Sequence, residues 1–434
     1  MLEQILEILK TSNVFLTGGG GVGKSYLVLE IIKYYQNNSK KVISLGSTGI
    51  SAIGIGGITL HSFFKLGICS NYEELKAYDK KNCQKLKDLN EIIKTTDLIV
   101  IDEISMVSAS IMDLIYLRLI NAKFTGRVLL VGDFYQLPPV KKEPTNTLFN
   151  QIYAFSSNAW SDLNLVNIEL CESKRTNDKV FYTFLSNLRV GEIGFREISY
   201  IKTFLSKEVD FDSSVLFGTN IEADRLNMLK LSELNSQLEI SHGYFEVYDE
   251  NINESFLLKW IGNLNVTDEL KMKVGAKVIF TTNKWGEFFN GQRGQIVDII
   301  KQNGEIELVK ILVENGNTLE VIRQKYDLSD YVIENGEINE NVKASYFQFP
   351  FKLAYAITIH KSQGMSISNL TCNLDKIFVS GQLYVALSRS SNPKNLKIIF
   401  NRNENFENYI KKNATIDQEV ANFYAKNNFI KEIL

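Results

Sequence analysis

Apolar residues at the start of the chain fall at Leu2, Ile5, Leu6 and Leu9. This i, i+3, i+4, i+7 spacing places them on one face of a helix. The pattern then changes. VFLTG (14–18) is a short run that leads into a glycine loop, and it reads as a buried strand. Helical spacing resumes over 25–35, and KVISLG (41–46) reads as the next strand. LIVID (98–102) and VLLVGD (128–133) are further continuous apolar runs, each ending in an acidic residue. Such runs between helical segments predict a parallel sheet covered on both faces. Residues 1–165 are therefore expected to form one α/β domain.

A polar, lysine-rich stretch interrupts that domain at about 66–95. Its mixture of lysines and acids suits a solvated helical face, or a small inserted subdomain turned towards nucleic acid. Residues 274–340, within a stretch read as an insertion over 236–345, change character again. Asn-Gly pairs stand at 290–291, 303–304, 315–316 and 335–336, and this pair tolerates the positive φ angles of tight hairpin turns. The segments between them alternate or run apolar, which predicts an inserted, mainly antiparallel, barrel-like β subdomain. Residues 166–235 and 346–434 are read together as a second α/β domain around that insertion.

Composition narrows the field. The chain of 434 residues is 44% apolar and 23% charged, with a net charge of −2. A packed core is expected, and any contact with nucleic acid would come from local patches rather than a basic surface. The four cysteines lie far apart, at 69, 83, 171 and 372. That spacing fits neither a zinc site nor a disulfide framework, and it suits a reducing cytoplasm. The opening MLEQILEILK carries acids and no continuous apolar run, so it does not read as a secretory leader. No run is long enough to predict a membrane span.

The strongest chemical signal is GGGGVGKS (18–25), which matches the phosphate-loop pattern G-x-x-x-x-G-K-[ST] in full. Gly18, Gly19, Gly20, Gly21, Val22 and Gly23 would turn backbone N–H groups towards a phosphate chain. Lys24 adds a point charge at the β/γ-phosphates, and Ser25 and Tyr26 open a helix whose positive end faces the anion. The bound species is expected to be ATP with Mg²⁺. VIDEIS (100–105) supplies adjacent carboxylates at a strand end. Asp102, with the Ser25 hydroxyl, would hold Mg²⁺ through hard oxygens. Glu103 would orient and deprotonate the attacking water. Hydrolysis also needs cations on the departing γ-phosphate, and Arg175 in ESKRTND and Arg389 in YVALSRS are the candidates.

Taken together, these blocks resemble the Pif-type DNA helicases of the Pif/RecD-like branch of superfamily one. The resemblance runs through Gln4, GGGGVGKS, STGISAIGIGGITLHSFF (47–64), VIDEISMVS, LLVGDFYQLPPV (129–140), AITIHKSQGMS (356–366) and LYVALSRS (383–390), in that order. It implies two RecA-like P-loop domains with small inserted subdomains, ATP between the domains, and 5′-to-3′ movement along single-stranded DNA. By the same resemblance Gln4 reads adenine, Gln136 senses the γ-phosphate, and Arg175 and Arg389 face that phosphate. Gly364 is the glycine nearest the phosphates. Thr48, Gly49, His61, Ser62 and Phe63 resemble the first DNA-contacting block, and Thr358, His360 and Lys361 its partner in the second domain.

Two departures stand out. Arg175 is followed by Thr176 where the family often has glutamine, and KFTGRVLL departs from its usual Pro-Phe-Gly-Gly segment. The length suits a helicase core without long extensions. His61, Phe63 and His360 offer flat rings for bases, although Phe63 and Phe64 read equally well as core residues, and Tyr384 and Trp285 read more readily as core. The 66–95 insertion is the better wedge candidate. The expected enzyme is an ATP-dependent DNA helicase acting on forked or tailed duplexes, monomeric, cytoplasmic and without a membrane partner. The alternative is a DNA-stimulated translocase that displaces proteins without processive unwinding.

Overall fold

The computed structural model describes all residues except 68, 70, 81–82, 140–151, 209–212, 251, 265, 285, 335–336 and 433–434. Trp285, Val140 and the Asn-Gly pair at 335–336 therefore lie outside the described residues. The chain divides into two compact units. The first comprises Met1–Glu172, Leu328–Lys343 and Asp417–Leu434, and the second Ser173–Asp327 and Ala344–Ile416.

The first unit is built on a parallel sheet. Its described strands run in the order Ile430–Glu432, Val166–Leu170, Val14–Gly18, Arg127–Val131, Leu98–Asp102, Val42–Gly46 and Ile58–Thr59. Every neighbouring pair is parallel. All residues of Val14–Gly18 and Leu98–Asp102 are buried, which explains why these strands are continuous apolar runs rather than alternating ones. The first helix, Leu2–Thr11, buries Ile5, Leu6 and Leu9, the face its spacing predicts. Because the strands are parallel, Val14–Gly18, Leu98–Asp102 and Arg127–Val131 end at the same edge of the sheet. The glycine loop, Asp102–Glu103 and the Asp133–Gln136 turn follow directly from those ends. The lysine-rich insertion forms the helices Tyr72–Lys80 and Cys83–Thr95.

The end of the chain is not where patterning puts it. Asp417–Leu434 belongs to the first unit rather than with 346–416. Phe423 packs among Phe15, Phe134, Phe155 and Trp160, and strand Ile430–Glu432 extends the first sheet beyond Val166–Leu170. Helical spacing over 418–426 fits any apolar surface, so periodicity does not say which sheet it covers.

The second unit holds a parallel sheet in the order Ala356–Thr358, Ser214–Phe217, Leu370–Asn373 and Leu396–Ile399. It also holds an antiparallel sheet, Thr318–Val321, Glu305–Val313, Arg293–Gln302, Lys277–Phe280 and Phe351–Leu353. Val278, Phe280, Phe288, Ile296, Phe349 and Phe351 share its core. Asn303 and Gly304 have φ of 51° and 87°, the paired positive angles expected of an Asn-Gly hairpin turn.

Candidate functional site

The glycine loop joins the buried strand Val14–Gly18 to the helix Lys24–Asn37. Gly18 has φ 145°, and a Cβ there would lie 2.6 Å from the Leu170 carbonyl oxygen. Gly23 caps the helix at φ 92°. Both positions need glycine, and the loop that results precedes a helix N-terminus, where N–H groups and the helix dipole favour an anion. Val22 is buried and pins the loop, while Ser25 and Tyr26 are exposed on the first helical turn. Lys24 Nζ donates to the carbonyls of Gly18 at 2.7 Å and Gly19 at 2.9 Å. Gln4 is exposed on the first helix.

Asp102 closes the buried strand Leu98–Asp102 and accepts the Glu103 N–H at 2.9 Å. Glu103 itself adopts left-handed angles, φ 53° and ψ 47°. That conformation is uncommon outside glycine and clusters at functional sites. Burial and the Glu103 charge push the Asp102 carboxyl up to about 7, against the Glu103 N–H and Lys24. Two carboxylates pressed together at the edge of an anion cradle are the donor chemistry that suits a hard divalent cation. With the Ser25 hydroxyl, these residues fit Mg²⁺.

Gln136 is also seated at this edge. It is buried, and its Nε2 donates to Asp133 Oδ2 at 3.3 Å, while Tyr135 N–H donates to Asp133 Oδ1 at 3.2 Å. Sequence reasoning named Gln136 but gave no role to Asp133, the buried carboxylate that orients it.

In the second unit three separated motifs converge. Arg175 Nε donates to Ser366 Oγ at 2.8 Å, and its Nη1 donates to the Ser388 carbonyl at 2.6 Å. Arg389 is buried and donates to the carbonyls of Val385 at 3.0 Å and Ser362 at 3.4 Å, and to Ser388 Oγ at 3.2 Å. Burial and the Arg389 charge both lower the proton affinity of Arg175. Gly364, at φ 76°, turns the chain between Ser362 and Ser366. A pair of guanidiniums brought together against their mutual repulsion is an anion-ready arrangement.

The residues of the two blocks expected to contact DNA occupy different environments. Thr48 caps the helix Gly49–Gly54, accepting the Ser51 N–H at 3.2 Å, and Gly49 is buried. His61 is exposed and Ser62 half-buried on the short helix Leu60–Phe63. Phe63 requires a correction. It is only 1% exposed and packs against Phe64 and Tyr331, with ring centroids 4.9 and 5.9 Å away. Its ring is core and cannot stack on a base. Tyr384 is buried likewise. In the second unit Thr358 is buried and accepts the Lys361 N–H at 3.4 Å, while Lys361 is exposed. His360 is half-buried, and that burial lowers its pKa. Sequence reasoning missed Lys352, which lines a cavity with Lys361, Thr358 and Thr267. Burial and the Lys361 charge bring its pKa down to about 7.

The model of the PIF1-like helicase family matches residues 2–194. An ATP-dependent DNA helicase Pif1 of Campylobacter jejuni is 44% identical over 442 residues, covering 99% of this chain and 98% of its own. The Pif1 helicase of Candida albicans superposes with a TM-score of 0.73 at 29% identity, over 98% of this chain and 97% of that one. A Bacteroides sp Pif1 solved in complex with ADP-AlF4 gives a TM-score of 0.82 at 24% identity, over 98% and 96% of the two chains, a likeness of fold. Among the described residues, no helix is long and apolar enough to cross a membrane.

Proposed function

This chain belongs to the family of PIF1-like helicases, and on that footing we propose that it is an ATP-driven DNA helicase that moves along single-stranded DNA and separates duplex strands. The observation that carries the reading is the shared edge of three neighbouring parallel strands. The glycine loop, the Asp102–Glu103 pair and the Asp133–Gln136 turn all follow from it.

Each residue has a chemical part. Gln4 and Tyr26 contact the nucleoside end of ATP, and the N–H groups of Gly18 to Lys24 hold the phosphates. Lys24 exchanges its loop carbonyls for phosphate oxygens, an exchange of neutral partners for anionic ones. Ser25 and Asp102 hold Mg²⁺, which when bound neutralises charge on the phosphate oxygens. Glu103 orients the attacking water and accepts its proton. Gln136 contacts the γ-phosphate. Arg175 and Arg389 meet the charge that develops there, with Gly364 letting the backbone approach. Thr48, Gly49, His61 and Ser62 contact the DNA strand, as do Thr358, His360 and Lys361. Movement is 5′-to-3′ and the working form is a monomer in the cytoplasm.

ATP turnover with and without single-stranded DNA, paired with unwinding of duplexes bearing a 5′ or a 3′ tail, tests this reading. DNA should stimulate turnover, and the 5′-tailed duplex alone should open. Stimulation without strand separation would leave a translocase. Turnover indifferent to DNA would overturn the proposal.

A further inference from the structure

Tyr424 lies on the helix Gln418–Lys426, far along the chain from any nucleotide motif. Its hydroxyl is 2.9 Å from Thr17 Oγ1, on the strand that leads into the glycine loop. The same oxygen accepts the Phe134 N–H at 3.3 Å, at the start of the turn that carries Gln136. Its ring stacks on Tyr135, with centroids 4.4 Å apart and planes 16° from parallel. Thr17 is fully buried and Tyr135 nearly so. One side chain therefore touches both the root of the phosphate loop and the two residues between Asp133 and Gln136.

A buried hydroxyl and a backbone N–H that share one partner are held at a fixed separation, because losing that partner leaves both unsatisfied. The Asp133 carboxylate already fixes the far end of the turn through Tyr135 N–H and Gln136 Nε2. Tyr424 fixes the near end against the strand beside it. We infer that Tyr424 is a positioning residue for ATP hydrolysis, setting Gln136 relative to the glycine loop, so that the segment Asp417–Leu434 is part of the nucleotide machinery. This rests on the proposed contact between Gln136 and the γ-phosphate.

Tyr424→Phe keeps the ring and its stacking and removes only the hydroxyl. DNA-stimulated kcat should fall roughly five-fold, the scale of one neutral hydrogen bond, with KM for ATP unchanged. Thr17→Val, which removes the other hydroxyl, should produce the same split. In a Gln136→Ala background the Tyr424→Phe effect should vanish, since the positioned group is gone. Wild-type kcat in both Tyr424→Phe and Thr17→Val, or an undiminished Tyr424→Phe effect without Gln136, overturns the inference. Wild-type kcat in Gln136→Ala alone overturns the sensor role itself, and this inference with it.

Discussion

Arg118 grips Asp79 with both terminal nitrogens, Nη1 to Oδ2 at 2.7 Å and Nη2 to Oδ1 at 2.8 Å. The same guanidinium donates to the carbonyls of Phe64 at 2.9 Å and Lys65 at 3.2 Å. It thereby ties the inserted helix Tyr72–Lys80 to the segment that immediately follows His61 and Ser62. Arg118 is 3% exposed, so removing its carboxylate strands a buried cation. Asp79→Ala should destabilise the protein by about 3 kcal/mol, read from urea unfolding. Strand separation should fall further than ATP turnover, because the insertion loses its fixed relation to the block proposed to contact DNA. Equal losses in both assays would deny the insertion a role in unwinding.

The glycine loop and the carboxylate pair call for different outcomes. Lys24→Ala removes the cation proposed to meet the phosphates, and ATP binding should be lost with turnover. Glu103→Gln keeps shape and removes the proposed base. Turnover should fall by about 100-fold or more, the usual scale for a general base, while a fluorescent ATP analogue still binds. Hydrolysis by Glu103→Gln at the wild-type rate would remove Glu103 from the mechanism.

The contrast between His61 and Phe63 shows how far residue identity carries. Both sit in TLHSFF, and the family resemblance places both at DNA, although Phe63 reads equally well as core. The four-residue helix Leu60–Phe63 turns His61 outward and Phe63 into the core. A four-residue helix is too short for periodicity to resolve which side faces in. The central strands were legible because continuous burial leaves a continuous apolar run, as at Val14–Gly18 and Leu98–Asp102. The phosphate loop was legible because its glycine positions answer a backbone demand. Arg118–Asp79, Asp133–Gln136 and Tyr424–Thr17 were not. Each depends on which surfaces meet after folding, and neither spacing nor composition encodes that.

Separate measurements should divide those two neighbours. His61→Ala should weaken single-stranded DNA binding by about ten-fold, within the range of one stacked base, and shift unfolding far less than Phe63→Ala does. Phe63→Ala should cost about 3–5 kcal/mol of stability. Its folded fraction should bind DNA as the wild type does. A selective loss of DNA affinity in a fully stable Phe63→Ala protein would restore the stacking role.

Asp330 supplies a pH dependence with a definite sign. Burial favours its protonated form, but Lys65 and Lys343 together outweigh burial, so its pKa is lowered from the ordinary value of 3.8. Lys343 Nζ lies 2.9 Å from Oδ2, and Lys65 pairs with the same oxygen. A carboxyl that binds its proton less tightly when folded stabilises the fold above the unfolded pKa. That contribution is lost as pH falls through the folded pKa. Asp330→Asn should therefore be less stable by about 2 kcal/mol at neutral pH, since two half-buried lysines lose this buried counter-charge. The deficit should begin to shrink in urea titrations below about pH 4, where the unfolded carboxyl takes up its proton, and go on shrinking as pH falls through the lower folded pKa. A deficit that kept its size through that acid range would mean that Asp330 acts through packing and not through charge.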